Sequence, residues 1–441
     1  VLKQFDSDEM SEALLVLTIC GRKTVNLKYL VVVTCVMIAS ATCNAQEMLS
    51  GTITLRDALT ATLSMNPRLR SFPLRNEALL GEKEIADLKP PFMLGAEVED
   101  ALGTGDIRDF TGAEATLRLS SVIEMGGKRV ARVGTVNRRI DVLNAEQRVV
   151  ELDLLVEVVR RFIDVAVTQE QVALQTLSTV IAQQTVDLIE PLVTAGQAPQ
   201  LETDRAQAAL LRAQLAEQAA YARLGSARIR LASMWARNTP QFDAVSSNIL
   251  TVEQAGSIES LLAELASNPD IEIFAAESRL LEAELRLAQT RQEGDIQWSA
   301  GIRHLKEFDD SGFAFGVTIP LFNKARASGA ERSARANLQE VEVRQLTALN
   351  AIEGEIRSLH RALQQAIAEV NTLQLQVIPV LQDVQQQTLQ AYGAGTYSYV
   401  ELITAQQEFL DAQLSLISSA GNAHRIRAEI ERLSGLPLTG Q

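Results

Sequence analysis

The sequence predicts a mainly α-helical protein with a small β part, built from two copies of one structural unit. Three features support this fold class: a long internal repeat, short segments of alternating polarity, and long segments in which apolar residues recur at helical spacing. The repeat is clearest after two Gly-containing turns, the first near residue 195 and the second near residue 394. The shared residues, first copy before second, are Ala195-Gly196 and Ala394-Gly395, Glu202 and Glu401, Ala206-Gln207 and Ala405-Gln406, Leu211 and Leu410, and Ala213-Gln214-Leu215 and Ala412-Gln413-Leu414. A repeat of this length indicates two large units, because solenoid repeats recur every few dozen residues.

The composition favours long helices that pack on one another. Hydrophobic residues make up 46% and charged residues 22% of the 441-residue chain, which excludes a disordered protein, whereas aromatic residues make up only 4%. Such a mixture is more typical of helix bundles than of a rounded aromatic core. The 41 basic and 55 acidic side chains give a net charge of −14. This charge repels phosphate backbones, so we expect no nucleic-acid partner.

Residues 1–45 are predicted to form a signal or leader region. A short basic stretch precedes an apolar run over residues 29–41, which is the layout of an export signal and is too short to span a bilayer comfortably. Cleavage after Ala45 and lipidation of Cys43 are two open alternatives for its end. All three cysteines lie in this region, so the mature chain would carry no disulfide and no thiolate metal site. An exported protein without cysteine suits the Gram-negative cell envelope.

Each unit contains two short segments in which apolar and polar residues alternate, as in β-strands with one apolar face. The clearest of them begin at Ala113 and at Phe313, and each is preceded by another alternating segment. The loops between the segments contain Gly and Asp, which favour turns. The sequence therefore predicts one β-hairpin per unit, over about 90–122 and about 295–321.

A long helical segment follows each predicted hairpin. Its apolar residues recur with alternating spacings of three and four, which is the pattern of a coiled-coil seam. The seam residues are Leu152, Leu155, Val159, Phe162 and Ala166 in the first unit and Leu349, Ile352, Ile356, Leu359 and Leu363 in the second. Each segment would be roughly 100 Å long at 1.5 Å per residue and would reverse at the Gly-containing turn. We therefore predict helical hairpins over about 126–237 and about 325–434, a first repeat over 46–250 and a second repeat over 251–441.

The four predicted strands raise a physical problem for a single chain. They would form an open sheet with two unpaired edges and with apolar residues on one face only. A membrane β-barrel built from several chains solves both difficulties, because closure removes the edges and the apolar face contacts lipid. Three chains would supply twelve strands, although the sequence does not fix that number.

The complete pattern resembles the TolC family of outer-membrane efflux factors. The resemblance is carried by the duplicated layout, by the turn segment Tyr392 through Gln406 and by the strand exit Ile319 through Asn323, while Glu124 through Arg129 resembles the heavy-metal efflux branch (cobalt–zinc–cadmium or copper). The family implies a homotrimer with a twelve-stranded β-barrel in outer-membrane lipid, continued by an α-helical barrel in the periplasm. It also implies a passive export duct for metal cations or small toxic compounds, with a periplasmic adaptor protein and an inner-membrane RND pump as partners and with no cofactor.

The resemblance also implies residues for a periplasmic gate. Acidic residues at the positions of Glu202 and Glu401 line the constriction in the family, although the helix dipole alone favours acids in a first helical turn. Tyr392 matches a tyrosine that ties the helices shut, and Thr404 stands where some members carry a second acid. The helix tips at Gly196 and Gly395 are expected to contact the adaptor.

Other kinds of function find little support in the sequence. The three histidines are far apart and the methionines do not cluster, so we expect no metal site in this chain. No nucleophile, base and oxyanion donor occur in a recognisable order, so we expect no enzymatic activity. The alternative is a periplasmic coiled-coil adaptor or scaffold without a channel, which accounts for the helical seams but not for the two hairpins.

Overall fold

The computed structural model describes residues 50–105, 108–110 and 112–435. The predicted leader region, with Cys43, lies outside these residues. Within them, each of the two repeats consists of helices, a β-hairpin and a long helical hairpin, in that order. This order confirms the predicted fold class, which is mainly α with a small β part.

The first repeat begins at a short strand and ends at another. Its elements are β1 (Gly51–Ile53), α1 (Leu55–Met65), α2 (Pro67–Asp87), β2 (Met93–Glu99), β3 (Glu114–Ile123), α3 (Lys128–Thr194), α4 (Gln200–Ala232), a 3-10 turn (Ser233–Trp235) and β4 (Phe242–Val245). Helix α1 starts at a capping box, in which the Thr54 N–H donates to the Asp57 carboxylate at 2.9 Å and the Asp57 N–H donates to the Thr54 hydroxyl at 3.3 Å.

The second repeat has the same order of helices, hairpin and helical hairpin. Its elements are α5 (Ile258–Ala263), a 3-10 turn (Glu264–Ser267), α6 (Pro269–Thr290), β5 (Ile296–Leu305), β6 (Asp310–Thr318), α7 (Asn323–Thr372), a π turn (Leu373–Val377), α8 (Ile378–Gly393) and α9 (Tyr399–Ser434). The helix predicted as one segment is therefore divided at the π turn. Pro379 explains the division, because it has no N–H and its ring would clash with the carbonyl group of Leu375 in a regular α-helix.

The two β-hairpins form one antiparallel sheet with the strand order β2-β3-β5-β6. Strands β3 and β5 join the repeats, so that β2 and β6 are the open edges. The register places one apolar face across all four strands. Its residues include Leu94, Val98, Leu117, Leu119, Ile302, Phe313, Phe315 and Val317, all of which are exposed. Phe313 and Phe315 are each 80% exposed, so nothing among the residues that the structure describes covers this face.

Helix α3 is buried on more than one side. Helices α1, α2, α4, α6 and α9 all contact it. Leu154, Val156, Val158 and Val165, which lie off the predicted 3–4 seam, are at most 2% exposed. A single seam was therefore too narrow a description of this helix, because it packs against several neighbours and not against one partner.

The seam predicted for α7 is correct. Ile356 and Leu363 are buried in one hydrophobic cluster, and Leu349, Ile352 and Leu359 pack against it. Across the described residues, none of the helices combines the length and the hydropathy of a membrane-spanning segment.

Each repeat contains an Asn-Pro pair, Asn66-Pro67 or Asn268-Pro269, whose asparagine bonds to the end of the helical hairpin of the same repeat. The Asn66 amide donates to the Met234 carbonyl group at 2.8 Å, and its carboxamide oxygen accepts from the Arg68 N–H at the start of α2. Asn268 has the equivalent role in the second repeat and donates to the carbonyl group of Leu433 at 2.7 Å. Asn268 is fully buried, so its loss would leave carbonyl groups unsatisfied, at a cost of about 1–3 kcal/mol.

Candidate functional site

The two helical hairpins reverse through the same kind of turn. Gly196 has φ = +73° and Gly395 has φ = +75°, a left-handed conformation that glycine adopts without a steric penalty. In the first turn the Gln197 N–H donates to the Leu192 carbonyl group at 2.8 Å, and the equivalent bond closes the second turn at 3.0 Å. Both turns are thus Schellman motifs, which place Glu202 and Glu401 at matched positions of the return helices.

A difference at the N-cap gives these two glutamates different partners. Ser398 caps α9, and its N–H and hydroxyl donate to the Glu401 carboxylate at 2.6 and 2.9 Å. These bonds hold the pKa of Glu401 below its ordinary value of 4.5, so the carboxylate is ionised at neutral pH. Pro199 occupies the same position before α4 and has neither an N–H nor a hydroxyl group. The Glu202 carboxylate consequently makes no hydrogen bond to the N-cap residue of its own helix.

Glu202 instead accepts a hydrogen bond from Tyr392, which lies near the end of α8. The Tyr392 hydroxyl donates to the Glu202 carboxylate at 2.7 Å, and this bond ties the second helical hairpin to the first. Tyr392 is only 6% exposed and packs with Ile189, Ala206 and other apolar residues. Burial is the largest cause that raises the pKa of Tyr392 far above its ordinary value, and the bond to Glu202 adds to it. The hydroxyl group therefore remains a donor at all physiological pH values.

Tyr399 belongs to the same cluster, although sequence reasoning missed it. It is 8% exposed, beside Tyr392, and burial raises its pKa. The sequence did contain a sign that Tyr399 differs from its repeat partner. Position 399 in the second copy corresponds to Gln200 in the first, so the two copies differ there. Thr404 is exposed and donates to the carbonyl group of Val400 at 2.8 Å, so its hydroxyl does not join the cluster.

The two turns and this cluster enclose a groove of about 410 Å³. It is lined by both turns and by the three tyrosines at positions 392, 397 and 399. The structure thus brings Glu202, Tyr392, Gly395 and the cap of Glu401 to one end of the helical hairpins. That end is the candidate functional site.

The segment Glu124–Arg129 forms the joint between β3 and α3. Gly126 and Gly127 have φ values of +71° and +72°, so the chain turns there in a conformation that a side chain would strain. Lys128 then forms an ion pair with Asp295, 2.6 Å away, at the start of the second hairpin. The glycines and the lysine of Glu124–Arg129 therefore have structural roles in this joint.

The histidines have structural partners. His360 and His424 contact the carbonyl groups of Gly256 and Ile249, each at 2.9 Å, through their Nε2 atoms. Burial lowers the pKa of His424. His304 contacts the Ser311 hydroxyl at 3.1 Å. In the part of the chain that the structure describes, no group of three or more His, Cys, Asp or Glu residues could hold a metal ion.

An amphipathic sheet that continues into paired helices of this length is typical of an outer-membrane channel protein. Comparisons with known proteins agree. Residues 91–237 match the family described as outer membrane efflux protein. The cobalt-zinc-cadmium resistance protein CzcC of Cupriavidus metallidurans is 26% identical over 321 residues, which cover 73% of this chain and 77% of that protein. The nickel-cobalt-cadmium resistance protein NccC of Alcaligenes xylosoxydans xylosoxydans is 25% identical over 213 residues, 48% of each chain.

The solved structures show the same fold. The crystal structure of CusC has a TM-score of 0.71 and 16% identity, with 89% of this chain and 96% of that chain covered. This chain is therefore similar to the outer membrane efflux protein family over residues 91–237 and to CzcC over most of its length. It is an outer-membrane channel component that extends into the periplasm, which confirms the predicted function class and location.

Proposed function

We propose that this protein is the passive outer-membrane duct of a tripartite RND-type system that exports metal cations. One observation carries the proposal: an exposed apolar face covers the sheet, and the sheet continues directly into long helical hairpins. Lipid is the environment that satisfies such a face. The duct itself supplies no enzymatic chemistry and needs no cofactor, because the partner pump provides the energy.

Closure of the sheet requires further copies of the chain. Strands β2 and β6 leave unpaired N–H and C=O groups at both edges, and such edges are not tolerated in a bilayer. Pairing of β6 of one copy with β2 of the next completes a ring without edges. A homotrimer then has a twelve-stranded β-barrel, continued by an α-helical barrel made from the helical hairpins of the repeats 46–250 and 251–441.

The candidate functional site is the periplasmic gate of this duct. The bond between Tyr392 and Glu202 fixes the second helical hairpin against the first and favours a closed state. Glu401 and Thr404 lie on the same return helix and are proposed to line the constriction, where three copies of an ionised carboxylate would attract cations. The turns at Gly196 and Gly395 are the surfaces proposed to contact the periplasmic adaptor.

The proposed cargo follows the relatives. CzcC and NccC are named for resistance to cobalt, zinc, cadmium and nickel, and the net charge of −14 suits the passage of cations. The adaptor and the pump would select the metal, because this chain lacks a metal-ligating cluster in its described residues. Lipidation of Cys43 and cleavage after Ala45 remain the two predicted alternatives for the start of the mature chain.

A growth experiment tests the proposal. The full-length gene is expressed with its neighbouring adaptor and pump in a Gram-negative strain that lacks its own outer-membrane efflux factors. We expect growth to be restored on cobalt, zinc or cadmium but not on organic toxic compounds. If growth were restored on organic toxic compounds alone, those compounds and not metal cations would be the cargo. A protein recovered in the soluble periplasmic fraction without membrane association would favour the scaffold alternative.

A further inference from the structure

Apart from the candidate functional site, a charged region lies on the sheet, at the opposite end of α3 from the helical turns. All the charged Asp, Glu and Arg side chains of the four strands lie on the polar face, and none lies on the apolar face. They are Glu97, Glu99, Glu114, Arg118, Arg303 and Asp310. Carboxylates therefore outnumber guanidinium groups by two to one on this face. We call these six residues the collar.

The collar occupies only the half of the sheet that is remote from the helices. Glu99 pairs with Glu114 in the register row nearest the hairpin loops, and Arg303 lies in the next row. The two rows nearest the helices, which contain Ser299 and Thr318, carry no charge on this face. The charges therefore form a band and are not spread along the strands.

Arg303 is the centre of this band. Its guanidinium lies 3.0 Å from the Glu114 carboxylate and 3.3 Å from the Glu99 carboxylate, which belong to the other repeat. Among the described residues, Arg118 forms an ion pair with Glu97 alone, at 3.5 Å. One cation thus balances two of the four acids, and it does so across three strands.

Small residues leave the space above the collar open. Gly301 stands beside Arg118 in the register, and a Cβ atom there would lie 2.5 Å from the Leu117 carbonyl oxygen. Gly312 stands beside Arg303 on the other side. The side chains of Arg303 and Glu99 are 40% and 47% exposed, so their charged ends reach the water that the sheet would enclose.

We propose that Arg303 sets the ion selectivity of the outer, sheet-lined part of the duct. This inference rests on the proposed closure of the sheet. The acids of the collar draw cations into the enclosed water, as rings of carboxylates do in cation channels. Arg303 offsets two of them and so limits how strongly a cation is held as it leaves. Weak retention matters for export, because conduction requires that an ion leave as readily as it enters.

Reversal potentials test this inference in planar bilayers that contain the full-length assembled protein and a KCl gradient. Arg303→Gln should raise the potassium-to-chloride permeability ratio by about twofold or more, because the lumen gains negative potential. Glu99→Gln should lower the ratio. The double variant, which carries both changes and has the collar charge of the natural chain, serves as the matched control and should return to the natural ratio.

The outcomes separate this inference from the proposed function. If the natural protein forms no ion-conducting channel, the duct itself is wrong. If it conducts but Arg303→Gln and Glu99→Gln leave the ratio unchanged or shift it in the same direction, the duct stands and the role of Arg303 is overturned. If Arg303→Gln does not assemble, the ratio measured for Glu99→Gln decides alone.

Discussion

Single residues at the N-caps decide what two equivalent glutamates do. Glu202 and Glu401 are aligned copies, yet Ser398 holds Glu401 in a capping box and Pro199 offers Glu202 no such bond. Glu202 therefore bonds to Tyr392 and connects the two helical hairpins. The dipole effect accounts well for Glu401, which lies at a helix start, whereas the hydrogen bond between the two helical hairpins is made by Glu202. The place of Glu401 in the constriction stays a prediction.

Loss of the Tyr392 hydroxyl should open the gate. Tyr392→Phe keeps the ring packed but removes the bond to Glu202, which contributes about 1–2 kcal/mol and hence a shift of roughly 5- to 30-fold in the ratio of open to closed channels. Single-channel recording in planar bilayers measures this ratio.

Tyr397→Phe is the matched control for this variant. Tyr397 is 49% exposed, and no hydrogen bond of its hydroxyl is observed within the described part of the chain. It should behave like the natural protein. Equal open fractions for Tyr392→Phe and the natural chain would show that the bond does not hold the gate.

At the scale of elements, close helix contacts depend on small side chains. Helix α9 crosses α3 at Gly421, where an added Cβ atom would lie 2.5 Å from a methyl group of Val167. Ala420 and Ala423 beside it are fully buried. The same helix carries Leu402, Phe409 and Leu416 on its buried face, so that it packs in two directions. The π turn before Pro379 has no counterpart in the continuous α3, so only the second hairpin contains a local break.

Replacing two helical glycines by alanine should change the stability of the protein in opposite directions, because only Gly421 lies at a close helix crossing. Gly421→Ala should destabilise the protein by about 1–3 kcal/mol, because the methyl group of Val167 has little room to move. Gly354→Ala should instead stabilise it by about 0.5–1 kcal/mol, because nothing lies within 4 Å of a Cβ atom there. Denaturant titration followed by circular dichroism measures both. A Gly421→Ala protein as stable as the natural one would mean that α9 and α3 can separate without cost.

At the scale of the whole molecule, the described chain would expose apolar surface and unpaired strand edges to water. Its sheet has two open edges and an uncovered apolar face, whereas its helices have buried cores of their own. The joint at Lys128 and Asp295 links these parts, since its ion pair lies where strands change into helices and connects the two repeats. We therefore expect membrane insertion and the proposed assembly to depend on the sheet faces more than on the helices.

The two faces of β6 should respond differently to charge. Phe315→Lys places a cation on the apolar face and should cost roughly 2–4 kcal/mol near the bilayer midplane, so we expect loss of the assembled protein from outer-membrane fractions. Thr318→Lys, on the opposite face of the same strand, should assemble normally. Fractionation followed by gel electrophoresis without boiling compares them. Normal assembly of Phe315→Lys would argue that this face does not contact lipid.

The sequence by itself determined the repeat, the two hairpins and the seam of α7, because periodicity and turn chemistry are local properties. It also singled out Tyr392, Glu202 and the two turn glycines, which recur or match a family motif. Only the tertiary structure decided that Glu202 and not Glu401 accepts the Tyr392 hydroxyl, that Tyr399 is buried beside them, and that Arg303 joins acids from the other repeat. Those contacts join residues far apart in the chain, and no spacing in the sequence specifies which side chains the packing of helices and strands will bring together.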